Sequence, residues 1–205
     1  MLRLLAGEHR SRVLSTPSGA DLTRPMGSRT REAIFNLLRG WCDGATVLDL
    51  FAGVGTMGLE AVSRGAARVF MVEKDRDVFS HLKHNTEALR ATDRAFPILG
   101  DALGETALAA VVPPVQLVFF DPPFDLASTE KGLERIDAQM RRVRPLFAER
   151  GFLVLRLPFD RPAPDGAVEG YDGPELHAYG DQQRIHLYAP ARGRAAAEPP
   201  GAAAP

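Results

Sequence analysis

Residues 47–58 read VLDLFAGVGTMG, and this stretch decides the fold. Val47-Leu48-Asp49-Leu50-Phe51 is a short apolar run, the pattern of a buried parallel strand. Gly53 and Gly55 follow; with no Cβ in the way, they permit a tight turn and close approach of backbone N–H groups to a ligand. From Thr56 the sequence TMGLEAV suits a helix that begins beside the turn. Gly53-x-Gly55-x-x-Gly58 also spells the dinucleotide fingerprint, so the stretch alone points to a nucleotide-like cofactor and leaves its identity open.

Working outward, strands and helices alternate. Residues 68–73 (RVFMVE), 95–99 (AFPIL), 115–120 (VQLVFF) and 151–157 (GFLVLRL) read as further strands. Helices are expected over 75–90, after Gly100-Asp101-Ala102-Leu103 to about Val111, and over 128–142. Residues 176–179 and 184–188 suggest a final antiparallel pair after the Pro- and Gly-rich connection 158–174. Upstream, residues 2–6 and 12–15 look like two short strands of a hairpin, and Ser28 can cap a helix over 29–39. The expected fold is therefore α/β: a mostly parallel seven-stranded sheet with helices on both faces and an N-terminal β-hairpin arm. The chain divides into an arm and helix (1–40), a main α/β domain (41–190) and a tail (191–205) whose Ala, Pro and Gly content predicts disorder.

Composition narrows the function. The 205 residues suit a single sizeable core, and 45% hydrophobic with 25% charged residues is ordinary for a soluble globular protein. No apolar run approaches the length of a membrane span, and the N-terminal apolar stretch is too short for a signal peptide, so a cytoplasmic location is expected. The single cysteine, Cys42, excludes an internal disulfide and a Cys-rich zinc site. His81 and His84 lie three apart on an expected helix with no acid or Cys cluster, which reads as a solvated face; no metal is expected. The net charge of −1 argues against a uniformly basic nucleic-acid binder, but residues 1–40 hold seven arginines against three acids. That local excess reads as a phosphate-contacting arm or, more plainly, a solvated surface.

Four segments fall at the C-terminal ends of successive strands, the edge where open α/β sheets bind ligands. The first is the glycine turn. Glu73, twenty positions after Gly53, can accept from both ribose hydroxyls. Asp101 can accept from an adenine amine or serve as a helix cap. The fourth, Asp121-Pro122-Pro123-Phe124, directly follows the apolar strand VQLVFF. Its prolines prevent the strand continuing and offer no N–H, so this turn presents acceptors: the Asp121 carboxylate and the Pro122 carbonyl. Acceptors suit an –NH2 group on a planar base, and Phe124 offers a ring for that base to stack on.

VLDLFAGVGTMGLEAVSRGA, VEKD, GDAL and FFDPPF resemble the motifs of class I AdoMet-dependent methyltransferases acting on exocyclic amino groups. The arm LLAGEHRSR, with TRPMGSRTREAIFNLL, is similar to the RsmD family of bacterial 16S rRNA guanine-N2 methyltransferases, and the resemblance runs from about Met1 to Tyr188. Gly27 stands where that pattern has a hydroxyl residue, and Val54 where Ser is frequent. The resemblance implies a Rossmann-like fold and S-adenosyl-L-methionine bound across Asp49, Gly53, Gly55, Glu73 and Asp101. It implies catalysis by Asp121, Pro122 and Phe124 on a guanine flipped from its stack. It also implies RNA contacts from Arg10, Arg12, Arg24 and Arg29, with 16S rRNA in an assembling small subunit as substrate and a monomeric enzyme. Three alternatives are a DNA adenine-N6 methyltransferase, an NAD-dependent oxidoreductase and a non-catalytic RNA-binding module.

Overall fold

The computed structural model describes residues 2–18, 26–158, 168–179 and 183–191. Arg24 and nearly all of the tail lie outside them. Strands β1 (Thr46–Leu50), β2 (Arg68–Glu73), β3 (Ala95–Leu99), β4 (Val115–Phe120), β5 (Phe147–Pro158), β6 (Tyr171–Tyr179) and β7 (Gln183–Pro190) form one sheet in the order β3-β2-β1-β4-β5-β7-β6. β1 to β5 pair in parallel, and β7 runs antiparallel between β5 and β6. Chain order reverses at β1 beside β4, the switch point where a crevice opens at the sheet edge.

The sheet is buried on both faces because its central strands are apolar on both sets of alternating positions. Val47, Val69, Met71, Leu117, Phe119 and Val154 face one core, built with helices α1 (Ser28–Leu37), α2 (Gly58–Ser63) and α3 (Arg76–Ala88). Leu48, Leu50, Phe70, Val72, Val118 and Phe120 face the other, built with α4 (Phe124–Ala127) and α5 (Glu130–Val143). Among the described residues no helix is long and apolar enough to cross a membrane.

Several boundaries differ from the sequence reading. Residues 101–111 form successive turns and no helix: Gly104, Leu108 and Val111 donate to carbonyls three residues back. Ala102, Leu103, Ala107 and Val111 still reach the core, so the segment meets its apolar demand without a helical ladder. α1 starts one residue earlier than expected, and Ser28 lies inside it; the capping position is Gly27, which has no side chain to cap with. A helical turn, α4, follows the two prolines directly and separates them from α5, whose cap is Thr129, its Oγ1 accepting the Gly132 N–H. β6 begins at Tyr171, inside the expected connection, because Gly173-Pro174 sits at a register shift where neither residue has to continue the ladder.

The arm is a short antiparallel hairpin in which Arg3 bridges Val13. The Leu4 N–H donates to the Arg12 carbonyl at 3.0 Å, Ser11 N–H to the Leu4 carbonyl at 2.9 Å and Leu14 N–H to the Leu2 carbonyl at 3.0 Å, and the tip also takes partners from α2. Leu5 and Ala6 N–H groups donate to the Glu60 carboxylate at 2.6 and 3.1 Å, and His9 N–H donates to Ser63 Oγ at 2.9 Å. Gly7 (φ +79°) passes so close that a Cβ there would stand 1.6 Å from the Ser63 carbonyl oxygen, so no other residue fits. Leu4 and Leu14 then join Ile34, Phe35 and Leu59 in the α1–α3 core.

Candidate active site

Side chains alternate across each strand, so register decides what meets at the sheet edge. Asp49 lies opposite Phe119, on the same face as Met71 of β2, and Glu73 and Asp121 lie two residues beyond those neighbours. Asp49, Glu73 and Asp121 therefore gather on the α1–α3 side of the sheet, around the turn after β1. That turn opens with Phe51 at φ 66°, a left-handed conformation rare for an aromatic residue, its ring stacked 5.7 Å from Phe120. Gly53 and Gly55 then take φ 56° and 94°. A Cβ at Gly53 would meet nothing within 4 Å: the turn faces open space there, as a cradle for a ligand requires.

Asp49 lies beneath this cradle. It is 1% exposed and accepts the Gly58 N–H at 2.8 Å, fixing the start of α2. Burial holds its carboxyl well above the usual carboxylate range, against the pull of that hydrogen bond. Glu73 closes the cradle from β2, its two oxygens accepting from the Gly53 and Asp75 N–H groups at 3.0 and 2.8 Å. Each oxygen keeps lone-pair capacity for one more donor. Asp101 stands half exposed beyond β3, with Oδ1 accepting the Leu103 N–H at 3.0 Å and Oδ2 3.5 Å from Arg135.

Asp121 occupies the end of β4, its side chain 18% exposed. Burial raises its pKa above the ordinary carboxylate value, and the Arg156 guanidinium opposes that rise. Arg156 Nε donates to Oδ1, and Oδ2 has no hydrogen-bond partner among the described residues. Pro122 is buried and Phe124 half-buried. The Arg156 guanidinium lies 4.7 Å from the centre of the Phe124 ring. The sequence reading gives Arg156 and Phe51 places in strands and no role in the site. In LVLRLP an arginine reads as an outward strand position, and only the pairing of β5 with β4 brings it to Asp121.

The arm arginines do not form one set. Arg10, Arg12 and Arg29 are exposed, Arg12 donating to the Ala88 carbonyl at the end of α3. Arg31, counted in the positive excess of the arm, is 2% exposed. It donates to the Arg3 carbonyl, and burial lowers its pKa, so it is a core residue and not a phosphate contact. His81 Nδ1 lies 2.8 Å from Ser15 Oγ, tying α3 to the arm.

A seven-stranded sheet of this order, a glycine cradle after β1, an acid at the end of β2 and an acceptor turn after β4 define a Rossmann-like class I methyltransferase. The chain matches the family described as "Conserved hypothetical protein 95" over residues 2–165. It belongs to that family, the RsmD family of methyltransferases, and is an enzyme. It is 37% identical over 136 residues to Ribosomal RNA small subunit methyltransferase D of Escherichia coli (strain K12), covering 66% of this chain and 67% of that one. The Haemophilus influenzae protein of the same name is 35% identical over 133 residues, 64% of this chain and 68% of that one. The solved structure of the Escherichia coli protein yhhF superimposes with a TM-score of 0.76 at 30% identity, over 92% of this chain and 97% of that one.

Proposed function

We propose that this enzyme transfers a methyl group from S-adenosyl-L-methionine to the exocyclic N2 of a guanine in 16S rRNA. The relatives named Ribosomal RNA small subunit methyltransferase D support the ribosomal substrate, and the RsmD family supports N2 as the acceptor. The observation that carries the chemistry is the free Oδ2 of Asp121, beside the Pro122 carbonyl and the Phe124 ring at the sheet edge.

The cradle fits the cofactor. Gly53 leaves space where a side chain would intrude, Glu73 retains acceptors for two hydroxyls, and Asp101 offers one for an amine. Gly55 shapes the turn, and Asp49 holds it from beneath. When bound, S-adenosyl-L-methionine supplies an electrophilic methyl on a sulfonium. The chain's own work is on the nucleophile. An arylamine lone pair is delocalised into its ring and attacks poorly. Hydrogen bonds from N2–H to Asp121 Oδ2 and the Pro122 carbonyl draw the nitrogen towards tetrahedral geometry. As the N–C bond forms the methyl–sulfur bond breaks, sulfur leaving as a neutral thioether with that electron pair, and the proton shed by nitrogen passes to Asp121, whose raised pKa suits it to accept. Phe124 holds the base plane, and alignment with placed acceptors supplies most of the rate gain.

Exposed Arg10, Arg12 and Arg29 suit phosphate contact, and we assign them, with Arg24, to RNA binding by a monomer on an assembling small subunit in the cytoplasm. The test is single-turnover methylation of undermethylated 30S particles with labelled cofactor, followed by mapping of the base. Asp121→Ala is expected to slow the step by roughly a hundred- to a thousandfold with cofactor affinity unchanged, and Asp121→Asn to lie between. Label on adenine, or an Asp121→Ala rate equal to wild type, overturns the reading.

A further inference from the structure

Arg156 makes more of this site than a neutral partner for Asp121. Its guanidinium touches two of the three named parts of the reaction motif, Asp121 and Phe124, and its far side is anchored. Nη1 donates to Gln183 Oε1 at 3.0 Å, and Gln183 Nε2 donates to Thr30 Oγ1 at 2.6 Å, so a hydrogen-bonded relay runs from α1 through β7 and β5 to the end of β4.

We propose that Arg156 is a positioning residue for methyl transfer, fixing the Asp121 carboxylate and the Phe124 ring in one arrangement held from α1 by Gln183 and Thr30. The inference rests on Asp121 being the amine acceptor. A carboxylate has two oxygens: Arg156 takes Oδ1, which leaves Oδ2 to meet N2–H. An aromatic ring has two faces: the guanidinium covers one, which leaves the other for the base. One planar fork makes both selections at once, and a lysine, which is a point charge, cannot.

The side chain is built to stay in place. It is 12% exposed, although an arginine on a strand is usually solvated. Leu155 and Leu157 on either side turn to the opposite core, which sends Arg156 towards α1. Thr30 is itself 6% exposed, so the relay ends in the protein interior. Arg29, one residue earlier on α1, is exposed, so the segment assigned to phosphate contact adjoins the end of the relay.

The test compares Arg156→Met, Arg156→Lys and Gln183→Leu in single-turnover methylation at saturating RNA, with cofactor affinity measured by calorimetry and each repeated in Asp121→Asn. Arg156→Met is expected to slow the chemical step at least tenfold with cofactor affinity unchanged. Lysine should restore only part of the rate, and Gln183→Leu should slow it severalfold. Asp121 is faced by Arg156 from β5, which opposes the rise in pKa that burial causes, and by the buried Asp49 from β1, so losing Arg156 leaves that rise unopposed. The acid limb of the rate profile should therefore move to higher pH. In Asp121→Asn, Arg156→Met should add little, because the two act as one unit. A wild-type rate for Arg156→Met, or multiplicative losses in the double variant, overturns the inference while leaving Asp121 in its role. Should Arg156→Met not fold, Gln183→Leu decides by the same criteria. An Asp121→Asn rate equal to wild type instead overturns the reading of Asp121 itself, so the two failures are distinct.

Discussion

Glu73 Oε2 accepts the Gly53 N–H at 3.0 Å, so the acid at the end of β2 is also the strut of the glycine turn after β1. On the proposed cofactor assignment, replacing it removes a ligand acceptor and loosens the glycine turn together. Glu73→Ala should weaken S-adenosyl-L-methionine binding roughly tenfold to a hundredfold, the equivalent of one hydrogen bond to a charged group, about 1.5–3 kcal/mol. Glu73→Gln keeps an acceptor for Gly53 and should lose less. Calorimetric titration of the three proteins checks both expectations, and equal affinities would remove Glu73 from the cradle.

Arg10 and Arg29 are exposed and make no ion pair among the described residues. Arg10→Ala with Arg29→Ala should leave cofactor affinity unchanged and flatten the salt dependence of RNA binding. The log–log slope should fall by about 0.7–0.9 for each phosphate that the variant no longer neutralises. Filter binding across a salt series reads the slope directly. A slope as steep as wild type would return these arginines to plain surface charge.

Gly7 tests how firmly the arm is docked. A Cβ there, at φ +79°, would lie 1.6 Å from a backbone carbonyl, which cannot rotate away as a side chain could. Gly7→Ala should cost about 2–4 kcal/mol, a fall of roughly 4–16 °C in Tm for a chain of this size. Denaturant unfolding with its midpoint unmoved would mean that the arm contributes nothing to the fold.

His186 gives the protein an acid-sensitive core. It is 1% exposed with neither ring nitrogen hydrogen-bonded among the described residues, and burial, reinforced by Arg184, lowers its pKa to about 4. The unfolded chain takes up the proton first, near pH 6.5, so stability is intact above that value and is lost as pH falls towards 4. The loss should approach about 3 kcal/mol. His186→Leu should unfold at nearly the same denaturant concentration at pH 7 and pH 4.5 once other groups are matched. If the variant and wild type lose stability in parallel, another group is responsible.

The sequence revealed β1, β2, β3 and β4 at their observed bounds, within a residue, because each is a continuous apolar run closed by turn residues. It missed the start of β5, where FAERG has no alternation to read, and the first half of β6, where Gly173 and Pro174 read as loop although a register shift accommodates them. It gathered Gly53, Glu73, Asp101 and Asp121 at one sheet edge because each stands at, or within three residues beyond, the end of a strand. Arg156 and Arg31 were not legible for the opposite reason. Their surroundings come from strand register and from arm docking, relations between residues far apart in sequence, and an isolated arginine gives no local sign of them.

Glu60 is fully buried and takes three donors, two of them arm N–H groups and the third the guanidinium of Arg64. If the arm swung away, this carboxylate would lose two of these three hydrogen bonds and the arm its two N–H acceptors. The arm therefore behaves as a fixed jaw and not as a flap. On the proposed assignment of this face to RNA, induced fit there falls to the nucleic acid: an RNA that reaches the sheet edge bends to a surface already set, and bears the ordering entropy of the encounter itself.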